Sequence, residues 1–360
     1  MKDDFIYETK FEKNLDKVPS EKEDNYEDTA NYEIISYGAD FTLSVYFEKM
    51  KKGEIITPGF QRRYVWSIFQ ASSLIESFLL GLPVPGIFLA KDKKTGNLIV
   101  IDGQQRLVTC RSFREEKFPT KNEIFTLKGV KSNWEGKKYS DLSPADRKRL
   151  DDSVLRATII QQIRPDDQTS IYHIFKRLNT GGTALSNQEI RNCIYQGKLN
   201  DLLIELNTNK VWRFLLSSRE VNHRRKDEEL ILRFFALYYN FSNYRKPMNE
   251  FLSIFMDLNQ NPDNVKIDEM RNVFIETIKT IQVNIGSRGF KPKGILNSAA
   301  FDSIMYTVAK DKNQLKENWG SCIEDLFKDP EFSYAINQGT TDSENISMRL
   351  KTAKKYLVQE

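Results

Sequence analysis

Apolar positions change rhythm along this chain, and each change marks an element. At residues 98–101 four aliphatic side chains, LIVI, run without a break, which reads as a strand buried on both faces. The strand stops at Asp102. Gly103 permits a tight turn, after which Leu107, Cys110 and Phe113 fall at helical spacing, so strand passes directly into helix. A turn at Lys94, Thr95 and Gly96 pairs this strand with another over 86–90, introduced by Pro83 and Pro85. Ile55 and Ile56 make a further short strand. Helices are predicted over 40–50, capped by Asp40 and stopped at Gly53, and over 67–81, capped by Ser67, burying Phe69, Leu74, Ile75 and Phe78, and ended by Gly81. Residues 124–127 and 153–162 read as strands around a short helix at 144–150.

From residue 166 the period is helical: 169–178, 186–195, 201–206, 227–239, 248–258, 267–283, 298–309, 314–327 and 343–357. Ser186 and Glu189 form an S-x-x-E capping box. Gly197 reads as an ordinary cap after a helix, a place where alanine is tolerated. The class is therefore α+β. An arm at 1–33, acidic and poor in apolar residues, reads as flexible; a strand-containing domain follows at 34–165 and a mostly helical one at 166–360.

The strand-to-helix corner carries the most concentrated chemistry. Free N–H groups and the positive end of the helix dipole favour an anion there, and Arg106 adds a fork suited to phosphate. Asp102 is a candidate ligand for a metal or a water. The plainer reading, Asp102 as a cap and Arg106 in a surface ion pair, leaves the amides of Gln104 and Gln105 unexplained, so a polar ligand is favoured. Gln61, Arg62, Arg63, Tyr64 and Trp66 interleave guanidinium groups with aromatics, able to clamp phosphate while stacking a base; the alternative is that both rings are core. Between two helices, Asn179, Thr180, Gly181 and Gly182 offer a backbone that a ligand can approach, more glycine than a helix end requires. His173 and His223 lack metal-ligand spacing and read as structural, and there is no Walker A motif.

Charge and composition narrow the partners. Residues 1–33 carry a net −6, so the rest of the chain carries +10 within an overall +4, a basic body suited to nucleic acid. No apolar run approaches the ~18 residues needed to cross a bilayer, and the amino terminus lacks the apolar stretch of a secretory signal, so no membrane and a cytoplasmic location are expected. Cys110, Cys193 and Cys322 are widely spaced and read as reduced thiols.

Three stretches resemble one family. DGQQRL at 102–107, TPGFQRRYVW at 57–66 and LNTGGTALSNQEIRN at 178–192 are similar to the signature segments of the GmrSD-type restriction protein N-terminal domain family, the DGQQR family also catalogued as domain of unknown function 262. The chain departs slightly at Pro58 and Gly59. KDEELILRFFALYYN at 226–240 has the look of the family's helical half. The resemblance implies a ParB- and sulfiredoxin-like fold in which a Gln-Arg segment and the corner close over a nucleotide, with Gln61 and Arg62 facing Asp102 and Arg106. It raises Glu189 and Arg191, otherwise cap and surface, to candidates. Relatives that cut DNA commonly carry a second His-Asn-His nuclease domain, and no histidine follows His223 in this chain.

The resulting expectation is a nucleotide-binding and NTP-hydrolysing module of a prokaryotic restriction or anti-phage system, sensing or acting on phage or modified DNA beside a separate nuclease partner, with a homodimer as one arrangement. Catalysis would fall to Asp102, Gln105 and Arg106. Asp102 would hold Mg²⁺ or a water, and Gln61, Arg62, Tyr64, Trp66, Gly103, Gln104, Asn179, Thr180, Gly181, Glu189 and Arg191 would bind the nucleotide. The alternatives are a DNA reader without turnover and, behind it, a DNA nickase. If Arg106 forks a phosphate, Arg106→Lys should weaken ligand roughly ten- to hundredfold while leaving ligand-free melting unchanged.

Overall fold

The computed structural model describes residues 33–57, 64–93, 95–120, 123–164, 169–178 and 185–359. The expected arm, apart from Glu33, lies outside them, as do Gln61, Arg62 and Arg63 and the 179–182 turn. Two compact units are present. One holds the described residues up to Leu185 together with Asn192–Ile194; the other holds Ser186–Arg191 and everything from Tyr195 onward.

The first unit is built on a five-stranded mixed sheet. Its strands are β1 (Glu33–Thr42), β2 (Ile55–Ile56), β3 (Ile87–Lys91), β4 (Leu98–Asp102) and β5 (Val154–Arg164), and the order across it is β1-β5-β3-β4-β2. β3 and β4 form the expected antiparallel hairpin, with Phe88 opposite Asp102, while β5 lies parallel to β3 and β2 parallel to β4. Helices α1 (Leu43–Lys51), α2 (Ile68–Leu80), α3 (Gln104–Arg114), α4 (Pro144–Asp152) and α5 (Thr169–Leu178) complete the unit. Leu43, Ile75, Leu89, Val100, Phe113 and Leu155 are fully enclosed in its core, each stabilising the fold by about 1.5–3 kcal/mol. β4 is interior because β3 and β2 flank it, which is why its sequence is continuously apolar.

Several expectations are corrected. Asp40 caps nothing: it sits in β1 opposite Arg156, and Thr42 caps α1 by accepting from Val45 N. Pairing with a strand more than a hundred residues later overrides the local helical signal there. Phe69, expected in the core, is 59% exposed. Residues 124–127 make only a single bridge, Ile124 to Lys117.

The second unit is helical: α6 (Asn187–Ile194), which ends within the sheet unit's residues, α7 (Lys198–Asn207), α8 (Lys210–Leu216), α9 (Lys226–Asn240), α10 (Met248–Leu258), α11 (Asn264–Asn284), α12 (Ser298–Lys310), α13 (Ile323–Lys328), α14 (Pro330–Ala335) and α15 (Ser343–Leu357). The Ser186–Glu189 capping box forms as read. The single helix expected over 314–327 is replaced by two 3₁₀ turns and α13, because Leu315 bridges to Val358. Among the described residues no helix is long and apolar enough to cross a membrane.

Acidic residues organise this unit from within. The first turn of α9 presents Asp227, Glu228 and Glu229; Asp227 takes Arg213 at 2.8 Å, Glu228 takes Arg225 at 2.7 Å, and Glu229 takes the fully buried Arg191. Deeper in, Asp302 receives both Arg233 at 2.6 Å and Arg349 at 3.0 Å. Each buried carboxylate is tolerable only because it is paired.

Gly103 and Gly197 are sterically obligatory. Gly103 has φ +93, and a Cβ there would lie 2.2 Å from Ile87 Cγ2. Gly197 is not the ordinary cap expected: it has φ +149 ahead of α7, and its Cβ would meet Gln260 O at 2.5 Å. Gly103→Ala and Gly197→Ala should each destabilise by about 3 kcal/mol, combining backbone strain with overlap. Gly96→Ala, at φ +75 in open space, should cost only about 1 kcal/mol. Urea midpoints that fall equally in all three variants would refute the steric account.

Beyond α3, Glu116 adopts φ +54 and its carboxylate accepts from Ser140 N at 2.7 Å and Lys138 Nζ at 3.0 Å. Hydrogen bonds from Ser140, then Lys138, hold its pKa down to about 2. A depressed carboxylate contributes stability above its unfolded value of about 4.3, and the contribution fades as pH falls below that value. Glu116→Gln should therefore melt below the wild type at pH 6 and converge on it toward pH 2; a gap that stays constant with pH would refute the clasp.

Candidate functional site at the strand-to-helix corner

The corner is set by β4, whose last residue, Asp102, leads through Gly103 into α3. Gly103 is the N-cap and supplies no side-chain acceptor, so among the described residues the first N–H groups of α3, those of Gln104, Gln105 and Arg106, meet no acceptor at the positive end of the helix. Asp102 does not cap the helix. Its Oδ2 accepts from Arg106 Nη2 at 2.9 Å across one helical turn, and its side chain is 43% exposed. Among the described residues Oδ1 accepts no hydrogen bond, and the Gln104 amide is likewise uncommitted.

Arg106 is held more firmly than a ligand fork would need to be. Its Nη1 donates to the carbonyls of Pro85 and Gly86, ahead of β3, while Nη2 takes Asp102. The guanidinium thus ties α3 to the entry of β3 and fixes the Asp102 carboxylate beside the helix start.

The segment at 64–66 lies against the same helix. Gln105 Oε1 accepts from Val65 N at 3.1 Å, and Tyr64 shares a hydrogen bond of 2.7 Å with Thr109. The Tyr64 ring meets Phe118 edge-on at 5.6 Å, and burial pushes its hydroxyl up to about 12. Trp66 also packs on the core of the sheet unit. Tyr64 pins the segment to α3 through Thr109, and Trp66 holds it on the core. Gln61 and Arg62, a few residues upstream, lie outside the described residues, as do Asn179, Thr180 and Gly181.

Glu189 and Arg191 belong to the helical unit. Glu189 closes the capping box at Ser186 N and pairs with Arg224 at 3.2 Å. Arg191 is fully buried and donates to Gln188, Glu229 and Asn249. Apart from Ser186 and Gln188, their partners lie in α9, α10 and the loop before α9, and no local sequence signal announces those. The described residues contain no cluster of three His, Cys, Asp or Glu able to hold a metal. Asp102 alone could supply one carboxylate to a magnesium ion whose other ligands are water and phosphate, which is how Mg²⁺ is usually held.

These features define a class: an α+β domain with a polar, anion-favouring corner between a buried strand and a helix. Residues 43–196 match the family described as GmrSD restriction endonuclease, N-terminal domain. No curated protein matches the chain.

Because Arg106 bridges two carbonyls and a carboxylate, its substitution is now expected to lower ligand-free melting as well. Arg106→Lys keeps the charge but not the fork, and with a side chain only 17% exposed the loss should lower stability by about 1–3 kcal/mol. Thermal melting of the ligand-free variant measures it, and a wild-type melting temperature would contradict the bridging role.

Proposed function

We propose that the chain is a nucleotide-binding, NTP-hydrolysing module of a prokaryotic restriction or anti-phage system, working with a separate nuclease on DNA. The match of residues 43–196 to a restriction-endonuclease domain family supports the system. The observation that carries the nucleotide reading is the docking of the 64–66 segment on the DGQQR helix through Val65–Gln105 and Tyr64–Thr109. That docking lays Tyr64 and Val65 against the helix whose start offers N–H donors beside a fixed, half-exposed carboxylate. In this reading Asp102 takes Mg²⁺ or the attacking water, Gln104 and Gln105 orient the nucleotide, and the helix start receives phosphate. Arg106 is the positioning residue for Asp102. A ParB- and sulfiredoxin-like kinship of the sheet unit and a cytoplasmic setting belong to the same proposal.

The competing reading, a DNA reader without turnover, draws on the +10 charge of residues beyond 33. Calorimetry with ATP and GTP in the presence of Mg²⁺ separates the two. The wild type should bind one of them with Kd on the order of 1–100 μM, within the range common for substrates, and Asp102→Ala should lose at least tenfold in Mg²⁺-dependent affinity and all phosphate release. Equal heats from wild type and Asp102→Ala would end the nucleotide reading, and DNA binding without any nucleotide heat would establish the reader.

A further inference from the structure

Two loops of the helical unit meet at one place. Lys291 Nζ donates to Ser217 Oγ at 2.6 Å, joining residues 217–226, which lead from α8 into α9, to residues 286–294, which lead from α11 toward α12. The turn at Gly286–Arg288 also packs against α8, which carries Ser217 at its C-cap. Together the loops read SSREVNHRRK and GSRGFKPKG, seven Lys or Arg against the single carboxylate of Glu220.

Their cations divide by role. Arg224 and Arg225 turn inward to Glu189 and Glu228. Arg219, Arg288 and Lys293 are exposed, and among the described residues they have no carboxylate partner. Burial lowers the Lys291 ammonium to about 8, and an anion seated beside it would raise it again. Ser217 and His223, both exposed, add further donors. Within 217–226 and 286–294 no large apolar side chain is exposed, and Phe214 and Ile295 stand exposed only at the edges of the two segments. The face is cationic and hydroxylated, and the glycines at 286 and 294, both at positive φ, keep its backbone bare.

We infer that this face binds the phosphate backbone of duplex DNA, with Arg219, Arg288 and Lys293 as the principal phosphate contacts. The inference rests on the reading that the chain acts at DNA. It places the DNA contact on the helical unit, beyond residues 43–196, and leaves the Asp102 corner to the nucleotide. Contacts of this kind position a duplex without reading its sequence.

The test is fluorescence anisotropy of the full chain with a labelled duplex of about 25 base pairs across about 50–300 mM salt, where each phosphate contact contributes a log–log slope of about −0.9. Arg219→Gln/Arg288→Gln/Lys293→Gln should flatten the slope by roughly 2–3 and weaken binding at least tenfold, with melting and nucleotide heats unchanged. Lys148→Gln/Lys279→Gln/Lys351→Gln removes the same charge from exposed positions elsewhere and should keep slope and affinity. Equal weakening by both variants would overturn the assignment in favour of diffuse attraction, as would wild-type binding by the loop variant. A wild type that ignores DNA at low salt would overturn both the surface and the DNA reading, while the calorimetric test of the nucleotide site stands apart.

Discussion

Ile87 and Gly103 approach so closely that no side chain fits between them, and the corner depends on that contact. β3 and β4 are hairpin partners, so the first residue of β3 necessarily lies near the end of β4. A chain leaving β4 must rise over Ile87 at once, and only a glycine at φ +93 allows it. The helix then starts with no capping side chain, leaving its first N–H groups unclaimed. An ordinary Ser or Asp at that position would satisfy one of these donors, but its Cβ would strike the core. The same steric demand that closes the fold therefore leaves an anion-favouring helix start.

Arg106 shows why a residue's type and its role separate. A guanidinium near a carboxylate and two amides suggests a phosphate clamp when read along the chain. In space, the residues nearest to it are carbonyls some twenty positions earlier, delivered by the β3–β4 register. These carbonyls, together with Asp102, absorb much of the fork. In the proposed reading an anion would therefore meet the N–H groups of the helix start rather than the guanidinium, with Arg106 maintaining the geometry.

How much was legible follows from the range of the forces involved. β4, the turn at Gly103, the hairpin and the long helices were readable because each is written in a continuous local pattern. α10 and α15 end where their sequences predict. α8 and α14, with seven and six residues, are too short to show a period. β1 was misread because its outer half is exposed on both faces and draws its register from β5. Glu189 was legible as a cap, whereas Arg191 looked like a surface or ligand residue because Glu229 and Asn249 come from other helices. Arg233 on an otherwise apolar face of α9 did carry a signal: a cation there requires a buried carboxylate, although nothing local identifies Asp302.

The helical unit's interior also explains where the excess charge must go. Arg191, Arg213, Arg233 and Arg349 are buried against carboxylates, and such pairs persist only when nearly neutral, because an unmatched ion inside costs several kcal/mol. Matching within the core removes cations and anions together and leaves the chain's positive balance on the outside. Surface cations would ordinarily mix with surface carboxylates, as Arg271 does with Glu205 and Asp268. Within residues 217–226 and 286–294 only Glu220 offers a carboxylate to the surface, since the next acids, Asp227 and Glu228, are drawn inward by Arg213 and Arg225. The basic face is thus the outer counterpart of the acidic start of α9: the helix takes the carboxylates into the fold and leaves Arg219, Arg288 and Lys293 facing water without them.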